Sequence, residues 1–150
     1  MTHWKTPLGL TVLAALGWGQ TPDPQTLLKQ VEARAPRFKE ISRQIWENPE
    51  LGWAEFKSTS LLKEELRKAG FRIQENVGGL PTAFVAEWGS GKPVIGIIGE
   101  FDALPGLSQD AEPARSPRVA GGPGHGCGHN LFGSASALAA VGVKQHLEEG

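Results

Sequence analysis

Pro93-Val94-Ile95-Gly96-Ile97-Ile98-Gly99 is an unbroken apolar run that ends in Glu100-Phe101-Asp102. A run with no polar alternation reads as a strand buried on both faces of a sheet. Such strands belong to α/β architecture, in which ligands gather beyond the carboxyl ends of the strands. Two carboxylates therefore emerge where a site is expected. Upstream, Phe71 to Val77 alternates apolar and polar residues as a half-buried strand does. Gly78-Gly79-Leu80-Pro81 is a turn, Thr82 to Trp88 a second strand, and Ser90-Gly91-Lys92 another turn.

Two helices precede these strands. Asp23 can cap and Pro24 suits a first helical position. Val31, Phe38, Ile41 and Ile45 then recur at helical spacing, with Asn48-Pro49 as the stop. Pro36 predicts a kink or a later start, because an interior proline costs ~3 kcal/mol. Glu55 to Ala69 forms the second helix, with Leu61, Leu62, Leu66 and Ala69 inward. Arg67 and Lys68 suit its negative end, and Gly70 its left-handed cap. Downstream, Gly106 to Gly124 lacks apolar periodicity and reads as a long loop of the functional or mobile kind. Leu131 to Leu147 is a helix, apolar almost all round up to Val143, and is expected to be buried.

At 150 residues with 39% hydrophobic and 21% charged content, the chain has the composition of a globular domain with a core. A net charge of −1 gives no footprint for nucleic acid or an anionic membrane. The single cysteine excludes an internal disulfide. Lys5, the apolar stretch Pro7 to Trp18 and the small-x-small Gly17-Trp18-Gly19 read as a signal peptide over 1–19. Export to the periplasm or medium is then expected, and a cytoplasmic protein otherwise. No segment is long and apolar enough for a transmembrane helix. Residues 20–150 read as the front portion of a larger α/β domain, since Glu148-Glu149-Gly150 resembles a prelude to another strand.

The chemistry concentrates in Gly124-His125-Gly126-Cys127-Gly128-His129-Asn130. A thiolate and an imidazole one residue apart can reach one divalent ion if the glycine-rich loop curls. A helix amino terminus just beyond favours the thiolate. Cys127 and His129 are the candidate metal ligands; a buried free cysteine beside a loop histidine is the alternative. His125 is a third ligand, a supporting donor or a solvated loop residue. Asp102 can orient a metal-bound histidine, bind the metal itself, or cap its own loop. Glu100 is a supporting carboxylate that its place at a strand end does not point across the cleft.

Three ordered motifs carry a family resemblance: Asn48-Pro49-Glu50-Leu51-Gly52, Gly99-Glu100-Phe101-Asp102-Ala103-Leu104-Pro105-Gly106-Leu107-Ser108-Gln109, and His125-Gly126-Cys127-Gly128-His129-Asn130. From about Leu28 onward the chain resembles the dinuclear-metal amidohydrolases, the branch of hippurate hydrolase, auxin-conjugate hydrolases and N-acyl-amino-acid deacylases. The Gly-Glu-Phe-Asp version of the second motif, with Asn130 after the histidine, is most similar to the aminobenzoyl-glutamate hydrolase group. The resemblance implies the amino-terminal part of a zinc-exopeptidase-like catalytic domain, a mixed sheet flanked by helices. It implies two divalent ions, zinc or manganese, with Cys127 and His129 as ligands and Asp102 as the catalytic aspartate. It implies a small N-acyl or N-aroyl amino acid or dipeptide as substrate, and a homo-oligomer. The family's base and remaining ligands lie farther along than this sequence. A broad N-acyl-amino-acid deacylase and a non-catalytic truncated remnant are the alternatives.

Overall fold

The protein is described by a computed structural model covering residues 23–149; the signal peptide expected over 1–19 lies outside the described residues. Helix α1 spans Pro24–Glu47, and Asp23 caps it by accepting the Gln25 N–H at 3.2 Å. The helix runs on through Pro36. The missing N–H there costs ~3 kcal/mol. Beyond it, Phe38, Ile41 and Ile45 are buried, the isoleucines at 0% exposure. Each such side chain contributes ~1.5–3 kcal/mol, so the apolar stripe outweighs the proline.

Helix α2 spans Phe56–Lys68 and buries Ser58, Thr59, Leu62 and Leu66, with Leu61 and Ala69 partly buried beside them. Gly70 ends it at φ +87°, a backbone angle that glycine adopts without strain. Strands β1 (Arg72–Glu75) and β2 (Phe84–Glu87) form an antiparallel hairpin with Ile73 opposite Ala86, joined through a 3₁₀ turn at Val77–Gly79. Isolated bridges occur in both senses, Leu51 with Ala103 parallel and Leu104 with Gly124 antiparallel. Helix α3 spans His129–Glu149. The fold is α/β, and its core lies where α1, α2 and α3 meet: Phe38, Ile41, Ile45, Leu62, Leu66, Ala137 and Val141. Gly142 allows the close α1–α3 approach, because a Cβ there would lie 2.9 Å from Val31 Cγ2.

Two expectations are corrected. Helix α3 is not buried all round: Leu131 is 64% and Leu147 55% exposed. Its packing partners α1 and α2 cover one face, and the apolar residues of the other meet solvent. The apolar run Pro93–Gly99 forms no strand, and Val94 is 84% and Ile98 77% exposed. A strand exists only with a neighbour to take its backbone hydrogen bonds, and the only sheet among the described residues is the β1–β2 hairpin. The end of the run does pack. Ser136 Oγ donates to the Ile98 carbonyl at 2.7 Å, and a Cβ on Gly99 would meet the Gly133 Cα at 3.2 Å.

The exposed run should drive self-association. Val94→Lys with Ile98→Lys should leave the fold intact, since both side chains already face solvent, and should lower association sharply. Light scattering across a concentration series tests this; equal association of the variant would show that another surface is responsible.

Candidate active site

His129 is the first residue of α3. The turn before it places Gly128 at φ +79°, and the Gly128 carbonyl accepts the Leu131 and Phe132 N–H groups. The His129 side chain is 19% exposed, with its Nδ1 2.7 Å from Asp102 Oδ1 and its Nε2 3.2 Å from Glu100 Oε2. A neutral imidazole has one N–H. The shorter contact takes it, so Nδ1–H donates to Asp102 and the Nε2 lone pair faces Glu100. A proton on Nε2 or a cation between the two atoms would make that contact favourable. Glu100 thus turns toward His129, the place of a carboxylate that supports the histidine.

The two carboxylates are held by backbone contact with α3. A Cβ on Gly133 would lie 2.8 Å from the Glu100 carbonyl oxygen and 3.0 Å from Phe101 Cβ. Ala103, 2% exposed, donates its N–H to the Glu50 carbonyl at 2.7 Å. Leu104 and Gly124 exchange both backbone hydrogen bonds at 3.0 Å, which brings the histidine loop beside the aspartate. The stretch 106–124, read as a long loop, has no helix or strand and is a ribbon tied by hydrogen bonds. Ser108 N–H donates to Gly122 O, Val119 N–H to Ser108 Oγ, and Asp110 N–H to Ser116 O. The Gln109 amide closes the tip, donating to Ala114 O and accepting from Ser116 N–H. Arg118 lies over the Trp46 ring, 5.0 Å from its centroid, which fastens the ribbon to α1.

His125 turns toward α1. Its Nε2–H donates to the Ile45 carbonyl at 3.2 Å, and its buried Nδ1 has no partner among the described residues. Burial holds the imidazole below the usual histidine pKa, with the Ile45 carbonyl opposing that shift. Asn130 is buried and donates to Ser42 Oγ at 3.1 Å, a second tie between the loop and α1. Cys127 is a free, exposed cysteine two residues before His129. Asp102, Glu100 and His129 are therefore brought together, His125 faces the helix behind them, and Cys127 faces solvent. Among the described residues, no three His, Cys, Asp or Glu side chains are set to hold a metal ion together.

Asn130, Ser108, Gln109 and Trp46 are the supports that reading the residues one by one missed. The signal for the first was a polar residue at the buried start of an apolar helix. Ser108 and Gln109 close the second motif and Trp46 precedes the first, and nothing in the sequence at those positions gives their pairing.

No family model matches the chain. It is 49% identical over 120 residues to a subunit of the p-aminobenzoyl-glutamate hydrolase of Escherichia coli, covering 79% of this chain and 25% of that protein. It is 32% identical over 103 residues to hippurate hydrolase of Campylobacter jejuni, covering 69% of the chain and 26% of the relative. An IAA-amino acid hydrolase of Arabidopsis thaliana is 34% identical over 110 residues, covering 73% and 24%. The chain spans about a quarter of the length of the curated relatives it matches. Among the described residues, no helix is long and apolar enough to cross a membrane.

Proposed function

This chain belongs to the amidohydrolase family that includes hippurate hydrolase, the IAA-amino acid hydrolases and p-aminobenzoyl-glutamate hydrolase, and from that premise we propose that it supplies part of a metal-dependent site for amide hydrolysis. The bond cleaved joins an acyl or aroyl group to an amino acid, with an aminobenzoyl-glutamate-like substrate as the specific proposal. The observation that carries the reading is the 2.7 Å bond from His129 Nδ1 to Asp102. A histidine whose Nδ1–H is held by a carboxylate offers Nε2 as a ligand in a fixed orientation.

The residues described fit one side of a divalent-metal site. His129 Nε2, with Glu100 Oε2 3.2 Å away, and the exposed Cys127 thiolate would hold the ion. Bound there, zinc or manganese supplies a water of lowered pKa and polarises the amide carbonyl. Asp102 keeps the imidazole proton on Nδ1 and fixes the ring plane. Two donors fall short of the roughly four ligands of a protein zinc site, and no base that would take a proton from water is assigned within these residues. A dinuclear centre and a base that takes the proton from water need residues besides these. Export and a homo-oligomeric whole protein belong to the same proposal, the first supported by the signal-peptide pattern of residues 1–19.

The test compares the 150-residue chain with a protein carrying this sequence at the full length of its relatives. Each is assayed with manganese or zinc on aminobenzoyl-glutamate and on N-acetyl and N-benzoyl amino acids. Metal-dependent cleavage is expected from the long form, none above background from the chain alone, and loss of both metal and rate in Cys127→Ser of the long form. A long form that is inert on all of these substrates would sink the proposal. Turnover by the chain alone that Cys127→Ser abolishes would show that the site is complete here.

A further inference from the structure

Helix α2 begins without a cap of its own. Its N-cap residue, Glu55, makes no side-chain bond to the first turn; Glu55 is 8% exposed and its carboxylate instead accepts the Thr82 hydroxyl. The open N–H groups are taken from farther back. Glu50 Oε1 accepts the Lys57 N–H at 2.9 Å, and Glu50 Oε2 accepts the Ser58 N–H and the Ser58 hydroxyl, each at 2.8 Å. Ser58 is 1% exposed, so these bonds are shielded on one side. The carboxylate also sits at the positive end of the helix dipole. A serine or aspartate at position 55 would serve α2 equally well. What Glu50 adds is a tie between α2 and the turn Asn48–Gly52. The main chain of that turn reaches the other way: Glu50 O accepts the Ala103 N–H at 2.7 Å, and Leu51 bridges Ala103 in parallel. Ala103 directly follows Asp102, whose carboxylate holds His129.

We infer that Glu50 is a positioning residue: by clamping the 48–52 turn to α2 it holds Ala103, and through Ala103 keeps the Asp102 carboxylate at bonding distance from His129 Nδ1. The inference does not depend on metal binding or on hydrolysis. One helix terminus thereby sets the tautomer of a histidine on another helix.

The test reads the hydrogen bond itself. In histidine-labelled chain, held below its association threshold, the His129 Nδ1–H held against Asp102 gives a downfield proton resonance whose exchange with water can be timed by NMR. Glu50→Ala should speed that exchange about five- to tenfold, the scale of a lost helix cap, and Glu50→Gln should fall between the two. Thr82→Val removes the partner of Glu55 at the same helix end but touches no atom on the path to Ala103; it should leave the exchange unchanged. If Glu50→Ala fails to fold, Ser58→Ala and Glu50→Gln decide, each expected to give a smaller acceleration. Exchange unchanged in the folded Glu50 variants, or accelerated equally by Thr82→Val, would overturn the inference.

Discussion

Asp102→Asn, made in the long form, is expected to slow hydrolysis by ~10–100-fold while most of the metal stays bound. Asparagine keeps an oxygen toward His129 Nδ1, but the charge that strengthens the 2.7 Å bond is gone. The ring can then turn, and Nε2 loses its fixed direction. Cys127→Ser should partition differently, with metal content falling along with rate, because a neutral hydroxyl replaces a ligand and not its support. Metal content by atomic emission, beside kcat/KM, separates the two. Asp102→Asn with full rate and full metal would remove the aspartate from the site; equal metal loss in both variants would make it a ligand.

Gly124→Ala is expected to destabilise the fold by about 3 kcal/mol, at the upper end of what overpacking costs. An added Cβ would stand 2.0 Å from the Leu107 carbonyl oxygen and 2.5 Å from its carbon, both backbone atoms that cannot rotate away. The Leu104–Gly124 pairing must open to admit it. Gly121→Ala is the comparison. That glycine has a φ of +68° and nothing within 4 Å of a built Cβ, so only the left-handed strain of about 1–2 kcal/mol applies. Urea midpoints rank the two. A Gly124 variant as mild as the Gly121 one would mean that the ribbon yields easily and does not hold the histidine loop in place.

The three helices were legible because their signals are local. Asp23-Pro24, the 3.6-residue spacing of Phe38, Ile41 and Ile45, and Gly70 each act within a few residues. The hairpin was legible for the same reason, its two runs and the glycines between them adjoining in sequence. The run Pro93–Gly99 was misread because its composition states what a strand would need, not whether neighbours are present. The outward residues of α3 repeat that lesson. Of the site, the residue types were legible and their mutual arrangement was not. Nothing in Glu100-Phe101-Asp102 tells which carboxylate faces which ring nitrogen; that follows from Gly133 and Gly99, whose missing side chains set how closely the segment lies on α3. The absent cap of α2 was a readable hint. Ala54-Glu55-Phe56 offers no serine, threonine, aspartate or asparagine where the helix begins, so the capping group had to come from elsewhere.

The ties between α1 and the histidine loop have a kinetic consequence. Ile45 and His125 are 80 residues apart in sequence, and Ser42 and Asn130 are 88 apart. Contacts of such span close slowly, because the intervening chain must surrender its freedom before they form. On a ribosome, α1 and α2 are made long before α3, and the part of the α1 face that α3 covers must wait until α3 arrives. The site is therefore expected to assemble late in folding. Substitutions at Ser42 or Asn130 should mainly quicken unfolding and leave the folding rate little changed.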